Sequence, residues 1–265
     1  MTTPLRVDGR WGGKVTRREL PANSPEIATL SLVDRASLAN LWLSQSATER
    51  RVAESFAVVH RALVALSADK NLIEIAERGI DDEHRHAALC HHMAEQYAGR
   101  ELATAPTLPF VHPAHREASS EAERQALFVI GQCVFNETLA SAYLEAAMSK
   151  ATAPIARAAL SELLSDEIDH ARIGWAFLSM LEPSARQSLQ SWMLPLAVCN
   201  LREWRAVAKP IEHAEVLEAH GAPSYITVQE ALLEGLSSLV VPGLQTMGFD
   251  VSSMRAWLDQ GAVTA

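Results

Sequence analysis

The sequence predicts an all-α protein, and three observations support this prediction. Glycine and proline are scarce, with 12 of each among 265 residues. Alanine, leucine, glutamate and arginine, which favour the helix, are abundant in almost every segment. Residues typical of helix starts and stops also divide the chain into long stretches. Because 48% of the residues are hydrophobic, the chain can bury one sizeable core, and we expect a single domain.

Charge and cysteine content argue against several classes of protein. The formal net charge of −9 offers no broad basic surface for a phosphate backbone, which argues against nucleic acid as a partner. The cysteines are three, an odd number scattered through helical sequence, and we expect reduced thiols. The sequence shows no signal-peptide run and no stretch of roughly 18 uninterrupted apolar residues. We therefore expect a soluble, cytoplasmic protein without a membrane partner.

The first part of the chain predicts an arm followed by two helices. Residues 1–33 contain several glycines and prolines without sustained periodicity and are expected to form an extended N-terminal arm. Asp34 is the expected N-cap of a first helix that continues to about Ser67. A second helix is expected over 71–98, because Gly99 is a typical stop signal.

A proline-rich segment, 100–118, separates these helices from a second pair. Its three prolines indicate a long crossover between two halves of a helical domain. Ser120 with Glu123 has the signature of a capping box at the start of a third helix. Pro154 suits the first turn of a fourth helix. The four long helices, within 34–182, are therefore expected to form two hairpins.

Residues 183–265 are expected to add shorter helices that pack on the four long ones within the same domain. One of these helices is expected to begin with Thr227 as its N-cap, and a short last helix with Asp250 as its cap. Proline lacks a backbone N–H and clashes within a helix, so kinks or breaks are expected at Pro195 and Pro242.

A short motif, Asp-Glu-x-x-His-Ala, occurs once in each predicted hairpin. Its two copies are Asp82-Glu83-His84-Arg85-His86-Ala87 and Asp166-Glu167-Ile168-Asp169-His170-Ala171. Each copy is preceded by a glutamate at nearly the same distance. The spacing from Glu54 to Glu83 and the spacing from Glu137 to Glu167 differ by a single position. A duplicated helix hairpin explains this near-equality.

The glutamates and histidines of these motifs have the spacing and the surroundings of metal ligands. Because residues three apart lie on one helix face, Glu83 and His86 can reach one metal ion or two adjacent ones, and so can Glu167 and His170. Apolar residues surround Glu83, Glu137 and Glu167 at helical spacing, which places these carboxylates in the core. Four converging carboxylates repel one another, and two divalent cations would cancel their charge. Nitrogen and oxygen donors of this kind suit iron or manganese.

The fourth carboxylate has two candidates. Arginines near its helix face offer Glu54 the alternative of ordinary surface ion pairs, but its equivalence to Glu137 in the repeat favours it as a ligand. Glu49 is the other candidate, although its distance to Glu83 breaks the repeat. The predicted ligand set is therefore Glu54, Glu83, His86, Glu137, Glu167 and His170.

This order of ligands on four helices resembles the ferritin-like di-iron carboxylate superfamily, over about residues 35–181. The run from Asp82 to His86 further resembles the Asp-Glu-x-Arg-His motif of bacterial multicomponent monooxygenases, although the second copy has Asp169 where that motif has arginine. The resemblance implies a ferritin-like four-helix bundle that holds two iron ions. It also implies that Asp82 and Asp166 each hydrogen-bond the ligand histidine of the other half.

Three functions are weighed for such a chain. The resemblance implies a di-iron oxidoreductase that activates O2 to hydroxylate, desaturate or N-oxygenate a small organic substrate, with electrons from an external donor or reductase. A ferroxidase or iron-handling protein is the alternative, but the residues beyond the fourth helix exceed a minimal subunit and suit a substrate cavity or a homodimer surface. A structural bundle without metal does not explain the duplicated motifs. Manganese, alone or together with iron, is the alternative to two iron ions.

The sequence defines no role for several other reactive side chains. His84 lies on a different helix face from His86, and His112 and His115 fall in the proline-rich segment, where a lid is conceivable. Tyr143 lies at helical spacing, where an aromatic side chain usually belongs to a core.

Overall fold

The computed structural model describes residues 6–11, 14–19, 24–106, 109–207 and 214–262. Its described residues are overwhelmingly helical, which confirms the all-α prediction. The exception lies in the predicted arm, where β1 (Arg6–Trp11) pairs antiparallel with β2 (Lys14–Glu19). The two glycines of the sequence between these strands favour such a hairpin.

Six helices and one π-helical segment make up the first part of the domain. They are α1 (Pro25–Ala28), α2 (Leu32–Ala65), α3 (Lys70–Ala98), α4 (Glu121–Val129), the π-helical segment Ile130–Asn136, α5 (Glu137–Lys150) and α6 (Pro154–Met180). The third predicted helix is thus α4 and α5 joined through the π-helical segment. The predicted helix is present over Glu121–Lys150, and the wider turns of the π-helical segment interrupt the regular α-helix just before Glu137.

The helix ends follow from capping residues, with one correction. Ser31, not Asp34, caps α2, because the Ser31 hydroxyl accepts the backbone N–H of Asp34. Gly99 ends α3 in the left-handed conformation (φ 68°), as predicted. The hydroxyl of Ser120 accepts the N–H of Glu123 at the start of α4, which confirms the predicted cap.

Two helical hairpins pack against each other. The first consists of α2 and α3, and in the second α6 packs along both the π-helical segment and α5. Contacts between α3 and α6, and between α2 and α4, join the hairpins. By contrast, α2 and α5 approach each other only sparsely. The Pro-rich crossover between the hairpins contains no helix within its described residues, 100–106 and 109–118.

The C-terminal part adds short helices on the second hairpin. They are α7 (Pro183–Leu189), the 3-10 turn Gln190–Trp192, α8 (Met193–Val207), α9 (Ala214–Ala219), α10 (Tyr225–Glu234), a second π-helical segment Gly235–Val240, α11 (Val241–Thr246) and α12 (Ser252–Asp259). Among them, α10 packs on α5, and α8 packs on the first π-helical segment.

One expectation for this part is corrected. Ser224 rather than Thr227 caps α10, and its hydroxyl accepts the N–H of Thr227. The regular α-helix is interrupted just before both prolines, by the 3-10 turn Gln190–Trp192 before Pro195 and by the second π-helical segment before Pro242. Asp250 does accept the N–H of Ser252 at the start of α12.

The hydrophobic core consists of two clusters with a polar layer between them. Along α3, Leu72 and Ala76 belong to the first cluster, and Leu89 and Met93 to the second. The motif residues of α3 lie between these positions. The order is reversed along α6, where Ile155 and Leu163 belong to the second cluster and Ile173 and Leu178 to the first. The layer that contains the predicted ligands is therefore enclosed by apolar side chains on both sides.

One helical stretch, Glu121–Lys150, is long and apolar enough to cross a membrane by length and composition, among the residues that the structure describes. Of its most apolar window, 61% is buried inside the protein. Burial of this kind is typical of the core helix of a soluble protein.

Gly174 allows α6 to approach the π-helical segment closely. A Cβ atom at this position would lie 2.6 Å from the backbone nitrogen of Val134 and 2.7 Å from the carbonyl carbon of Cys133. Backbone atoms cannot move aside as a flexible side chain can, so α6 would have to shift. The small residue therefore serves close packing next to the candidate ligands.

We predict that Gly174→Ala destabilises the protein by about 1–3 kcal/mol, the usual cost of overpacking a core. Urea unfolding followed by circular dichroism measures this loss. Gly131→Ala is the matched control, since its Cβ would meet only the Leu196 side chain, at 3.4 Å. Equal stability of the Gly174→Ala variant and the wild type would contradict the close approach.

Candidate metal site

Five of the six predicted ligands converge in the polar layer between the two hydrophobic clusters. They come from three helices, α3, α5 and α6, and are Glu83, His86, Glu137, Glu167 and His170. All five are between 0% and 4% exposed. The sixth member of the cluster is Glu49 of α2, which is half-buried.

Glu49, the candidate with the unequal spacing, takes the place expected for Glu54. Five positions along a helix correspond to a rotation of about 140°, so the two glutamates point in different directions. Glu54 is exposed, and its carboxylate accepts the backbone N–H of Phe110 at 3.3 Å. The assignment of Glu54 to the cluster is therefore corrected, and this residue instead attaches the crossover to α2.

The side chains form two overlapping groups, and each group could hold a metal ion. One group consists of Glu49, Glu83, His86 and Glu167, and the other of Glu83, Glu137, Glu167 and His170. Within each group, the ligand atoms lie within 4.8 Å of one another. Glu83 and Glu167 belong to both groups, whereas each group has its own histidine and its own terminal glutamate.

The two shared glutamates each direct one oxygen to each histidine. Glu83 Oε2 lies 3.5 Å from His86 Nδ1, and its Oε1 lies 3.1 Å from His170 Nδ1. Glu167 Oε1 lies 3.3 Å from His86 Nδ1, and its Oε2 lies 3.2 Å from His170 Nδ1. A carboxylate in this position can bridge two cations, with one oxygen on each.

Each histidine is held from behind by the motif aspartate of the other hairpin. His86 Nε2 lies 3.0 Å from Asp166 Oδ2, and His170 Nε2 lies 3.6 Å from Asp82 Oδ2. Both rings thus direct Nδ1 at the glutamates and Nε2 at an aspartate. An aspartate in this position fixes the orientation and the tautomer of a ligand histidine. The structure has the reciprocal arrangement expected for Asp82 and Asp166.

Arg85 joins the two aspartates beneath the histidines. Its guanidinium lies 3.0 Å from Asp82 Oδ1, contacts Asp166, and lies 3.3 Å from Glu162 Oε1. Burial alone would raise the pKa of both aspartates, but their histidine partners and Arg85 lower it. Both aspartates therefore stay ionised; Asp166 hydrogen-bonds His86 Nε2, whereas Asp82 lies at the longer distance of 3.6 Å from His170 Nε2.

Glu137 is positioned by the π-helical segment. Gln132, within this segment, donates its side-chain N–H to Glu137 Oε1, while its carbonyl oxygen accepts the hydroxyl of Ser55 at 2.6 Å. Asn136 Nδ2 donates to the same glutamate oxygen at 3.4 Å. A π-helical turn is frequent at functional sites, and here it places two amide donors on one ligand candidate.

Three neighbours of the site were not identified from the sequence. Phe56 packs on His170 with ring centroids 4.6 Å apart, and Gly79 leaves the space for its ring. Gln132 and the buried Glu162 contribute through contacts between helices. Of these three residues, only Glu162 could have been identified from the local sequence, because it lies one helical turn before Asp166 on the same helix face.

The residues whose roles the sequence left open lie outside the cluster. His84 is exposed on α3. In the crossover, His112 stacks on Phe128, and His115 packs edge-on against Trp192. The cysteines Cys90, Cys133 and Cys199 are free thiols, as expected, and the first two are buried. Burial raises the pKa of both buried thiols, so they stay neutral core groups.

Protons balance the charge of the cluster when no metal is bound. Burial and the charges of the shared glutamates raise the pKa of Glu49 and of Glu137 well above its ordinary value. Burial would lower the pKa of His86 and His170, but their carboxylate partners raise it well above its ordinary value. Glu167 has a lowered pKa despite burial, because His170 hydrogen-bonds to it and His86 Nδ1 lies 3.3 Å from it. The cluster thus gathers protons at four groups.

The donor set fits divalent metal ions. Glu83 Oε1, Glu83 Oε2 and His86 Nδ1 are buried without a hydrogen-bond partner, although all three point into the centre of the cluster. Buried polar atoms without hydrogen bonds are costly unless another group satisfies them. Two cations between the shared glutamates would satisfy these atoms and take the place of the four protons.

Comparisons with known proteins give no family for this chain. A scan against models of protein families finds no match, and a search of curated proteins finds no similar sequence. The chemical interpretation of the site therefore depends on its geometry.

We predict that Glu49→Ala lowers the metal content of the protein by at least about half, because it removes one terminal ligand candidate. The matched control is Glu54→Ala, which removes a glutamate from the same helix but outside the cluster. Elemental analysis after loading with ferrous ion measures both. Loss of metal in Glu54→Ala together with full metal content in Glu49→Ala would show that Glu54, the glutamate selected from the repeat, is the ligand.

We predict that the metal-free protein loses stability as pH rises from about 5 to 8. A raised pKa in the folded state means that stability is full below the ordinary pKa and is lost above it. For Glu49 and Glu137 the loss of stability begins above pH 4.5, the ordinary pKa of glutamate, and for the two histidines above pH 6.5, the ordinary pKa of histidine. Asp82, Asp166 and Glu167 are ionised in both states throughout this range and do not change the slope.

Metal binding should remove this loss and add about 4 kcal/mol at a thousandfold excess over Kd. For a protein of this size, that corresponds to a rise in Tm of roughly 10 °C. Calorimetry of metal-free and loaded samples at several pH values measures the difference, which should shrink towards pH 5. Equal melting temperatures at neutral pH would show that metal does not stabilise the cluster.

Proposed function

We propose that this chain is a ferritin-like di-iron oxidoreductase that activates O2 and oxidises a small organic substrate. One observation carries the proposal, namely the buried set of four glutamates and two histidines in two overlapping groups that share Glu83 and Glu167. Four carboxylates match the charge of two divalent cations. The order of these residues on the helices supports assignment to the ferritin-like superfamily.

The donors favour iron among the metals of this charge. Imidazole suits several transition metals, whereas the excess of carboxylate over imidazole favours iron and manganese over copper, and the cluster of described residues has no thiolate ligand. Two iron ions are the proposed cofactor, with manganese at one or both positions as the alternative that metal analysis distinguishes.

Iron held here supplies electrons for O2 reduction and open coordination positions for oxygen, and the residues of the chain supply the environment. Asp82 and Asp166 keep the two Nδ1 atoms aimed at the metal positions. Gln132 holds Glu137. Apolar side chains on both sides exclude water, which protects a reactive oxidant from side reactions.

An organic substrate is favoured over iron as the substrate. The short helices after α6 pack on α5 and on the first π-helical segment, beside the cluster, where they lengthen the wall of the site. A protein that only stores or oxidises iron does not need such a wall. Electrons are proposed to come from a separate reductase or chemical donor, and the proposed location is the cytoplasm.

We predict that, in the absence of O2, the protein binds about two ferrous ions per chain. When O2 is added, both ions of a chain should be oxidised. Metal analysis and the near-ultraviolet absorption of the oxidised product measure these two steps. Removal of a shared carboxylate in Glu83→Ala or Glu167→Ala should abolish both. Glu54→Ala should leave both unchanged.

Oxygen consumption distinguishes the two enzymatic functions. If the protein oxidises an organic substrate, oxygen consumption in the presence of reductant continues while the iron content stays at about two ions per chain. For an iron-handling protein, consumption scales with added ferrous ion far beyond two per chain, and this result would replace the proposal. Full metal content in either shared-glutamate variant would contradict the site itself.

A further inference from the structure

Beside the cluster, α2 and α5 approach each other only sparsely. Two side-chain bridges connect α2 with α5 and with the π-helical segment before it. In one bridge, Gln45 donates to the hydroxyl of Tyr143 at 3.0 Å, and in the other, Ser55 donates to Gln132. Along α2 the two bridges lie about 15 Å apart. We call the gap between the two bridges the window.

Glu49 lies in the window, and it is the one member of the cluster that keeps partial exposure. Val52 of α2, Asn136 at the end of the π-helical segment and Ala140 of α5 are also half-buried there. The other five members are almost fully buried. Glu49 is therefore the member of the cluster that is most exposed to solvent.

One tryptophan from the C-terminal part reaches the rim of the window. Trp204 of α8 donates its indole N–H to Asn136 Oδ1 at 3.0 Å, and Asn136 in turn donates to Glu137. The indole also packs on Tyr143, with ring centroids 5.5 Å apart. Trp204 is thus connected to a ligand candidate on one side and, through Tyr143, to Gln45 on the other.

Two polar atoms near the window lack a partner. Gln45 Oε1 is buried without a hydrogen bond, one helical turn before Glu49. Ser141 Oγ is also buried without a hydrogen bond, one turn after Glu137 on the same helix. A buried carbonyl oxygen without a donor is costly, so a ligand with an N–H or O–H group would complete the site.

We propose that the window is the substrate-binding site of the proposed oxidoreductase and that it binds a small aromatic molecule with an amino or hydroxyl group. The rings of Tyr143 and Trp204 offer an aromatic surface for a flat ring. Gln45 accepts the hydrogen bond of the substituent. The inference rests on the proposed function and specifies its substrate class.

Phenol is the probe, and the zinc-loaded protein is the target, because zinc binds similar donors without redox chemistry. Binding is measured by ligand-detected NMR titration. We expect wild-type protein to bind phenol in the millimolar range or tighter, and to bind anisole, which lacks the donor, at least about fivefold more weakly. We expect Gln45→Leu and Trp204→Ala to raise the Kd for phenol at least about tenfold.

Trp192→Ala is the matched control for the tryptophan. Trp192 is also half-buried and also donates its indole N–H, to Glu123 at 3.0 Å, but it lies away from the window. Its removal should leave phenol affinity unchanged. Zinc content and circular dichroism verify that each variant is folded and loaded. Trp204→Phe serves as a second variant if the alanine variant does not fold, with an intermediate loss expected.

The outcomes separate this inference from the proposed function. Failure of wild-type protein to hold zinc or iron would contradict the metal site, while phenol binding to the same chain would still decide the role of the window. Unchanged affinity in Gln45→Leu and Trp204→Phe, equal affinity for anisole, or absence of phenol binding to the wild type would overturn the window as the substrate-binding site.

Discussion

Burial of four carboxylates in an apolar core is the constraint on which the rest of the structure depends. Glu83 and Glu167 lie between two hydrophobic clusters that exclude water from both sides. Ionised groups there need positive charge close by, and the chain offers two imidazoles, which bound protons or metal ions would supplement. The helices must therefore cross at the level of the ligands with little freedom. Gly174, with no room for a Cβ against the π-helical segment, is one consequence of that constraint.

Much of this arrangement could be predicted because its signal is local. Four ligand candidates follow from a motif of three-residue spacing, and Glu137 follows from the apolar stripe around it; both signals are read along a single helix. The choice of the sixth candidate instead depended on the assumption that the two hairpins have the same length. Glu83 and Glu167 lie equally far from the starts of α3 and α6. Glu49, however, lies almost one helical turn farther from the end of α2 than Glu137 lies from the end of α5. The first hairpin is longer by this turn, so equal spacing selected the wrong glutamate.

The remaining features depend on contacts between distant parts of the chain. Gln132 reaches Glu137 because a π-helical segment replaces regular helix, and its sequence differs little from that of an α-helix. Trp204 belongs to a helix beyond the repeat, so no internal comparison indicates that it lies beside Asn136. Helix caps were missed for a related reason, since a serine and an aspartate three residues later both suit an N-cap, and only the backbone geometry decides between them.

The difference between the two motif copies has a physical reason. A single guanidinium, that of Arg85, contacts both aspartates, so the second copy needs no arginine of its own. Its counterpart Asp169 points away and pairs with Arg172. If metal took the place of the protons, the histidines would become neutral, and Arg85 would be the fixed positive charge beside Asp82 and Asp166. It would keep both aspartates ionised, so that each could accept an Nε2–H and leave the Nδ1 lone pair for a metal ion. One shared cation would thus set the tautomer of both candidate ligand histidines.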